Sequence, residues 1–352
     1  MKGYSIAMPF GGYRGAGLGN QAIPMGKAWL AAQVLDQHYV DIPWSLNPRG
    51  YRKELGSARL DWLRHLTLRT STRPVEVTIE EYMGSGILDY REFIQSWAAD
   101  NGRSLIHTSG MSGGYASIAG ARDFLASRLT QTDSAIKSPV RTQLQQVRLE
   151  KVTVAVHVRA GDFGSDAPSP GAFNNRIPIT WYEDVIDFLS NGLGDDVHFF
   201  FVTEPDAIPL VSNLISRLGI RHSTLSSGTA SEDLGILSSA DLVVCSISSF
   251  SLLASFLGGN DYIWYSGHLT ALDGSAYIWP DRQSMVFSEM RNRDERFKLG
   301  AGGIQGMPYP GDRGIQEDLL ARLRRNLSAR HPESNMLFYG SIDGTYLKES
   351  ST

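Results

Sequence analysis

The sequence predicts an α/β protein made of two Rossmann-like halves, each with its own parallel sheet. Three observations point there. The runs Val152–Val158 and 197–202 are β-rich and largely apolar, as parallel strands covered on both faces require. Such runs alternate with amphipathic stretches of about 8 to 12 residues, the pattern of βαβ units. At 352 residues the chain has room for two domains of about 150 residues each.

Taken in order, residues 4–10 form a first strand, and a glycine-rich turn follows from Gly11 to Gly19. A helix fits 21–35, with Ile23, Ala28, Leu30, Ala31 and Leu35 on its apolar side. A short strand is expected at 39–42, then helices at 59–68, 90–99 and 117–129. The polar stretch 130–149 reads as the boundary between domains 1–147 and 148–352. Beyond it, Val152–Val158 is a strand, 181–189 a helix, 197–202 a strand and Ile208–Leu218 a helix. Strand 242–245, helix 250–257 and strand 262–265 continue the alternation. Residues 273–314 carry no period, and 315–327 is a closing amphipathic helix.

Composition narrows the function classes. Hydrophobic residues make up 42% and charged residues 20%, ordinary values for a globular chain. A net charge of −4 argues against nucleic-acid binding by bulk charge. The single cysteine, Cys245, excludes an internal disulfide framework and a four-cysteine zinc site. Its place in the apolar run 242–245 marks a buried, inert thiol. After Lys2 the apolar stretch reaches only Phe10 before Gly11, Gly12 and Arg14, too short for a signal segment. Nothing approaches the 18 or more apolar residues of a membrane span. The expectation is a cytoplasmic protein.

In open parallel sheets ligands bind beyond the carboxyl ends of the strands, so motifs there carry most information. The first is Gly15-Ala16-Gly17-Leu18-Gly19-Asn20, opening a helix. Glycines let backbone N–H groups approach an anion, and the helix start adds a favourable dipole. A plain turn and a dinucleotide site are the alternatives. Asp41 lies where a ribose-binding acid would, but Asn20 stands where the dinucleotide fingerprint has its third glycine.

The second motif is His157-Val158-Arg159-Ala160-Gly161-Asp162, at a strand end. A guanidinium binds phosphate oxygens in pairs and stays charged; Asp162 can orient it. The alternative is a surface Arg159–Asp162 salt bridge beside a satisfied core histidine. The third segment holds Asp233 on a helix, then Asp241, a strand, and Ser246, Ser248, Ser249 and Phe250. The serines can donate to a diphosphate or merely cap a helix. The Asp233 carboxylate can accept two bonds from guanine and would repel an adenine edge.

In this order the motifs resemble the fucosyltransferase superfamily, with its two-domain GT-B fold and active site in the interdomain cleft. That superfamily includes the α-1,2-, α-1,6- and protein O-fucosyltransferases. Gly17-Leu18-Gly19-Asn20-Gln21 is similar to its N-terminal signature, His157-Val158-Arg159-Ala160-Gly161-Asp162 to its central motif, and 238–250 to its third. Pro178-Ile179-Thr180-Trp181-Tyr182 extends the likeness. Ala160 stands where two branches carry a second basic residue, so the linkage stays open.

The resemblance implies a GDP-sugar substrate, GDP-fucose or a relative. Arg159 would bind the β-phosphate and assist its departure, His157 and Asp233 would contact guanine, and Ser248 and Ser249 the diphosphate. The loop Gly17, Leu18, Gly19, Asn20 would close over the donor from the N-terminal, acceptor-side domain. Transfer would invert the anomeric carbon and need no cofactor or metal, Arg159 replacing the ion; no two aspartates are separated by a single residue. The acceptor is a glycan, a peptide or a small molecule; Trp44, Tyr51, Arg52 and Trp62 are groups suited to it, and read equally well as ordinary core and surface. Asp41, Glu54 and Asp61 are weak candidates for a general base; each reads first as a surface or structural acid, and none is nominated as catalytic. A nicotinamide-dependent oxidoreductase using the glycine loop, and a non-catalytic nucleotide- or glycan-binding module, are the other readings.

Overall fold

A computed structural model describes residues 3–9, 16–56, 61–71, 74–101, 105–159, 176–246, 248–265, 306–310, 313–330, 337–338 and 348–349. Gly11 to Gly15, Asp162 and most of 273–314 lie outside them. The first half runs β1 (Tyr4–Ala7), α1 (Leu18–Val34), β2 (His38–Val40), α2 (Arg52–Leu55), α3 (Asp61–Ser71), β3 (Val75–Glu76), α4 (Ile79–Gly84), α5 (Tyr90–Asn101), β4 (Leu105–Thr108), α6 (Gly114–Ser117), α7 (Arg122–Thr130), α8 (Asp133–Ile136) and α9 (Pro139–Val147). Its four strands pair in parallel in the order β2-β1-β4-β3.

The second half runs β5 (Val152–Val158), α10 (Ile179–Leu193), β6 (Val197–Thr203), α11 (Ile208–Leu218), β7 (Ser223–Ser226), α12 (Ala230–Ser239), β8 (Leu242–Val244), α13 (Ser249–Gly258), β9 (Asp261–Tyr265), β10 (Gly306–Tyr309) and α14 (Arg313–Ser328). Six parallel strands lie in the order β10-β9-β8-β5-β6-β7. The chain moves outward from β5 to β7, then returns to the other side of β5 with β8. The gap between the ends of β5 and β8 is therefore the topological switch point. The α/β class with a parallel sheet in each half is the one the sequence predicts.

Every residue of β5 and β6 is buried, and the two faces pack differently. Val154, Val156 and Val158 meet Trp181, Val185 and Leu189 of α10 and Leu319 and Leu323 of α14. Ala155, Phe200 and Val202 share one apolar core with α12 and α13 and with Leu18, Ala22, Met25, Leu125, Leu129 and Leu144 of the first half. One core thus crosses from half to half.

One expectation gains detail and one needs correction. The polar stretch 130–149 is helical over α8 and α9, because Thr132 and Ser138 cap those helices and Pro139 suits a first turn. Helix α1 begins at Leu18 rather than at residue 21, with Gly17 as its N-cap. Strands β3, β4 and β7 have two to four residues, too few to display a period. Cys245 is buried, and burial pushes its thiol up to about 12, as an inert group should be.

Candidate functional site

The His157 side chain stands at the switch point, near the end of β5. Its Nδ1 lies 2.9 Å from Ser246 Oγ just beyond β8, so a hydrogen bond spans the crevice. Ser246 Oγ also accepts the Ser248 N–H at 3.1 Å. Burial first, then the Arg159 charge, holds the imidazole down at about 3, so the ring is neutral at any working pH. The Phe250 ring packs against it with centroids 5.5 Å apart. His157, Ser246, Ser248 and Phe250 thus form one group.

Arg159 follows on the loop, and its Nε lies 3.2 Å from Glu204 Oε1 at the end of the adjacent strand β6. Sequence reasoning passed over Glu204, although an acid at a strand end is a visible signal; it named Asp162 instead, which lies outside the described residues. Tyr51 of the other half is also near. Burial raises its phenol pKa, while the Leu18 N–H and the Arg49 and Arg159 charges oppose that rise. Its hydroxyl accepts the Leu18 N–H at 3.2 Å. Tyr51 was expected on the acceptor side, and its hydroxyl instead meets the start of α1.

Helices α1 and α13 begin against each other. Ser249 Oγ donates to Asn20 Oδ1 at 2.5 Å. The Tyr115 hydroxyl lies 2.8 Å from the Gly19 carbonyl and 3.0 Å from that of Ser249, a tie with no sequence signal. Gly17 caps α1 without a side chain, and no acid stands in its first turn, leaving the positive end of its dipole uncompensated from within. Ser248 caps α13, its Oγ accepting the Phe250 N–H at 3.2 Å. The capping reading of Ser248 is therefore correct, and a capping hydroxyl still has its proton to give.

Asp233 belongs to a third group, on the same carboxyl edge of the sheet, in the first turn of α12. Its Oδ1 accepts the Gly228 N–H at 3.0 Å. Burial pushes its carboxyl up to about 7; the Glu232 and Glu54 charges add to this, while bonds from Gly228 and Ser226 oppose it. Glu54 reaches in from α2, accepting the Ser231 N–H at 2.7 Å. That bond gives Glu54 a task at the contact between the halves.

Asp41 is committed elsewhere. Its carboxylate accepts the Tyr39 hydroxyl at 2.9 Å, the Ile42 N–H at 2.7 Å and Trp44 Nε1 at 3.4 Å, and pairs with Arg128 Nε at 3.1 Å. Four donors make it a structural tie, neither a ribose acceptor nor a base. Trp44 is fully buried against Tyr51, so it is core rather than an acceptor platform. Arg52 is exposed, and the side chains of Asp61 and Trp62 lie outside the described ones. Asp241 is structural too: it binds Arg148, Arg330 and the Thr153 N–H and hydroxyl.

Among the described residues no helix is long and apolar enough to cross a membrane. No family model and no curated protein matches the chain. Three solved structures show some likeness to the chain. A family 9 glycosyl transferase from Veillonella parvula has 12% identity and a TM-score of 0.41 over 93% of this chain and 98% of its own. WaaG, a glycosyltransferase involved in lipopolysaccharide biosynthesis, has 14% identity and a TM-score of 0.31 over 93% and 91%. POFUT1 in complex with GDP has 14% identity and a TM-score of 0.28 over 66% of each chain. All three TM-scores lie below 0.5, and the functional reading rests on geometry.

Proposed function

We propose that this protein is a metal-independent, inverting glycosyltransferase that moves fucose, or a related sugar, from a GDP-sugar to an acceptor hydroxyl. One observation carries the reading: Arg159 and the His157–Ser246 pair stand at the switch point of the second sheet, beside helix starts from both halves. Parallel sheets bind nucleotides at such a crevice, and the helix starts favour a diphosphate.

The acceptor oxygen attacks the anomeric carbon, whose bond to the β-phosphate oxygen breaks with its electron pair leaving on GDP. The acceptor proton passes to solvent or to a base. Charge grows on the departing phosphate while the sugar becomes oxocarbenium-like, so a fixed guanidinium lowers the barrier. In-line attack inverts the carbon. The neutral His157 ring and the Asp233 carboxylate suit the edge of guanine. An oxidoreductase using Asp41 for ribose is disfavoured, since that carboxylate already meets four donors.

Thermal shift with GDP, ADP and NAD is the direct test. Ligand at 100 times its dissociation constant stabilises by about 2.7 kcal/mol, and GDP is expected to give that shift. A response to NAD alone would sink the proposal. Release of GDP from GDP-fucose then separates an enzyme from a binding module, and the activity is expected to survive EDTA. Loss in EDTA with recovery on manganese would remove Arg159 from the role of the ion.

A further inference from the structure

Arg159 and Glu204 face each other because of strand register. Val158 pairs with Thr203 in the β5–β6 ladder, so residues 159 and 204 are the next partners beyond it. The Thr203 hydroxyl donates to the Val158 carbonyl at 2.8 Å in a buried bond, fixing the two strand ends together. On its other side the Glu204 carbonyl accepts the Ala207 N–H at 3.0 Å, starting the turn Pro205–Ala207 that leads into α11. The carboxylate is thus mounted on backbone held from both directions. It meets Arg159 Nε at 3.2 Å, with side chains 18% and 29% exposed.

An arginine at a strand end has many rotamers, and transition-state stabilisation depends on how few it uses. A carboxylate on Nε fixes the plane of the guanidinium, and the two terminal nitrogens are then the pair that meets phosphate oxygens. The same carboxylate is a negative charge close to where a diphosphate would lie, so alignment comes with weakened donor binding. Resting on the function proposed above, we propose that Glu204 is a positioning residue for Arg159, one that raises turnover while lowering affinity for the nucleotide.

The test compares Glu204→Gln with Arg159→Ala and wild type, measuring melting temperature, GDP affinity by calorimetry, and kcat and KM for GDP release from GDP-fucose. Glu204→Gln keeps shape and loses charge. Its turnover is expected to fall about tenfold or more, while GDP binds tighter than to wild type, by up to about tenfold, the range for coupled neighbours. A lowered melting temperature with unchanged turnover and affinity per folded molecule would reduce the pair to a plain salt bridge. A parallel loss of affinity and turnover would also overturn the split.

Wild-type protein gives a second readout that needs no variant to fold. With isotope-labelled arginine, the Arg159 Nε–H resonance is expected to stay protected from exchange with and without GDP. Loss of protection on GDP binding would show Glu204 displaced and end the proposal. An Arg159→Ala protein that still releases GDP would instead bring down the function itself. An inactive Arg159→Ala beside a fully active Glu204→Gln removes only the positioning role.

Discussion

Gly19 lies directly against the backbone of Ser249: a Cβ on Gly19 would come within 2.5 Å of the Ser249 carbonyl carbon. The obstacle is backbone, which cannot rotate aside as a side chain would. Gly19→Ala is therefore expected to spread the starts of α1 and α13 and destabilise the protein by about 1–3 kcal/mol, the usual cost of overpacking. Urea denaturation with an unchanged midpoint would show that the two helices do not meet so closely.

Arg159→Lys keeps the charge but loses the planar fork. GDP binding should weaken modestly and turnover far more, because a point charge on a flexible stem does not hold the departing phosphate in line. Removing one preorganised donor costs about 100- to 1,000-fold in turnover, and Arg159→Ala is expected to reach that. Both variants keeping more than about a tenth of wild-type turnover would strip Arg159 of its role.

Asp233 ties nucleotide affinity to pH. Its folded carboxyl titrates at about 7, against about 3.9 unfolded. Guanine needs the ionised form, so GDP should bind more weakly as pH falls from 8 to 6. The stability sign is opposite: a raised acid favours the folded state below about pH 3.9, and that contribution fades as pH rises through 7. Asp233→Asn should accordingly stabilise the fold at pH 8, by on the order of 1–3 kcal/mol, seen as a higher melting temperature, and leave stability unchanged at pH 4. Asp233→Ala should weaken GDP by about 1.5–3 kcal/mol. Affinity independent of pH and of both variants would take Asp233 out of the site.

Asp241 behaves in the reverse sense. Burial alone would raise its pKa, but the Arg330, Thr153 and Arg148 bonds outweigh burial and hold it below the usual carboxylate range. The stability it supplies is present above about pH 4 and is lost as pH falls through the lowered value. Asp241→Asn removes the counter-charge from the part-exposed Arg148 and Arg330 and weakens the buried bonds to Thr153, a loss of about 1–3 kcal/mol. Matching denaturation curves for variant and wild type at pH 7 would contradict this.

The bounds of β5 and α11 were readable because long apolar periods write themselves into sequence. Strands β4 and β7 were not, since four residues carry no period and their burial depends on neighbours distant in the chain. At the site, His157 and Ser246 were legible from their motifs. Glu204 escaped because its meaning comes from register with β5, and Tyr115 because its hydroxyl acts only where α1 and α13 converge. Asp41 fits ribose by its position in the chain, and only the fold shows Arg128, far along the sequence, holding it as a structural acid.

The core that runs unbroken from α1 and α7 through α12 and α13 to the second sheet makes the two halves poor interchangeable parts. A fragment that begins after α9 would present the bare apolar sides of α12 and α13 to water and aggregate rather than fold. Heating should give a single calorimetric transition whose van't Hoff and measured enthalpies agree. Chimeras that graft a foreign first half onto this second half should succeed only when the graft also brings helices shaped to α12 and α13.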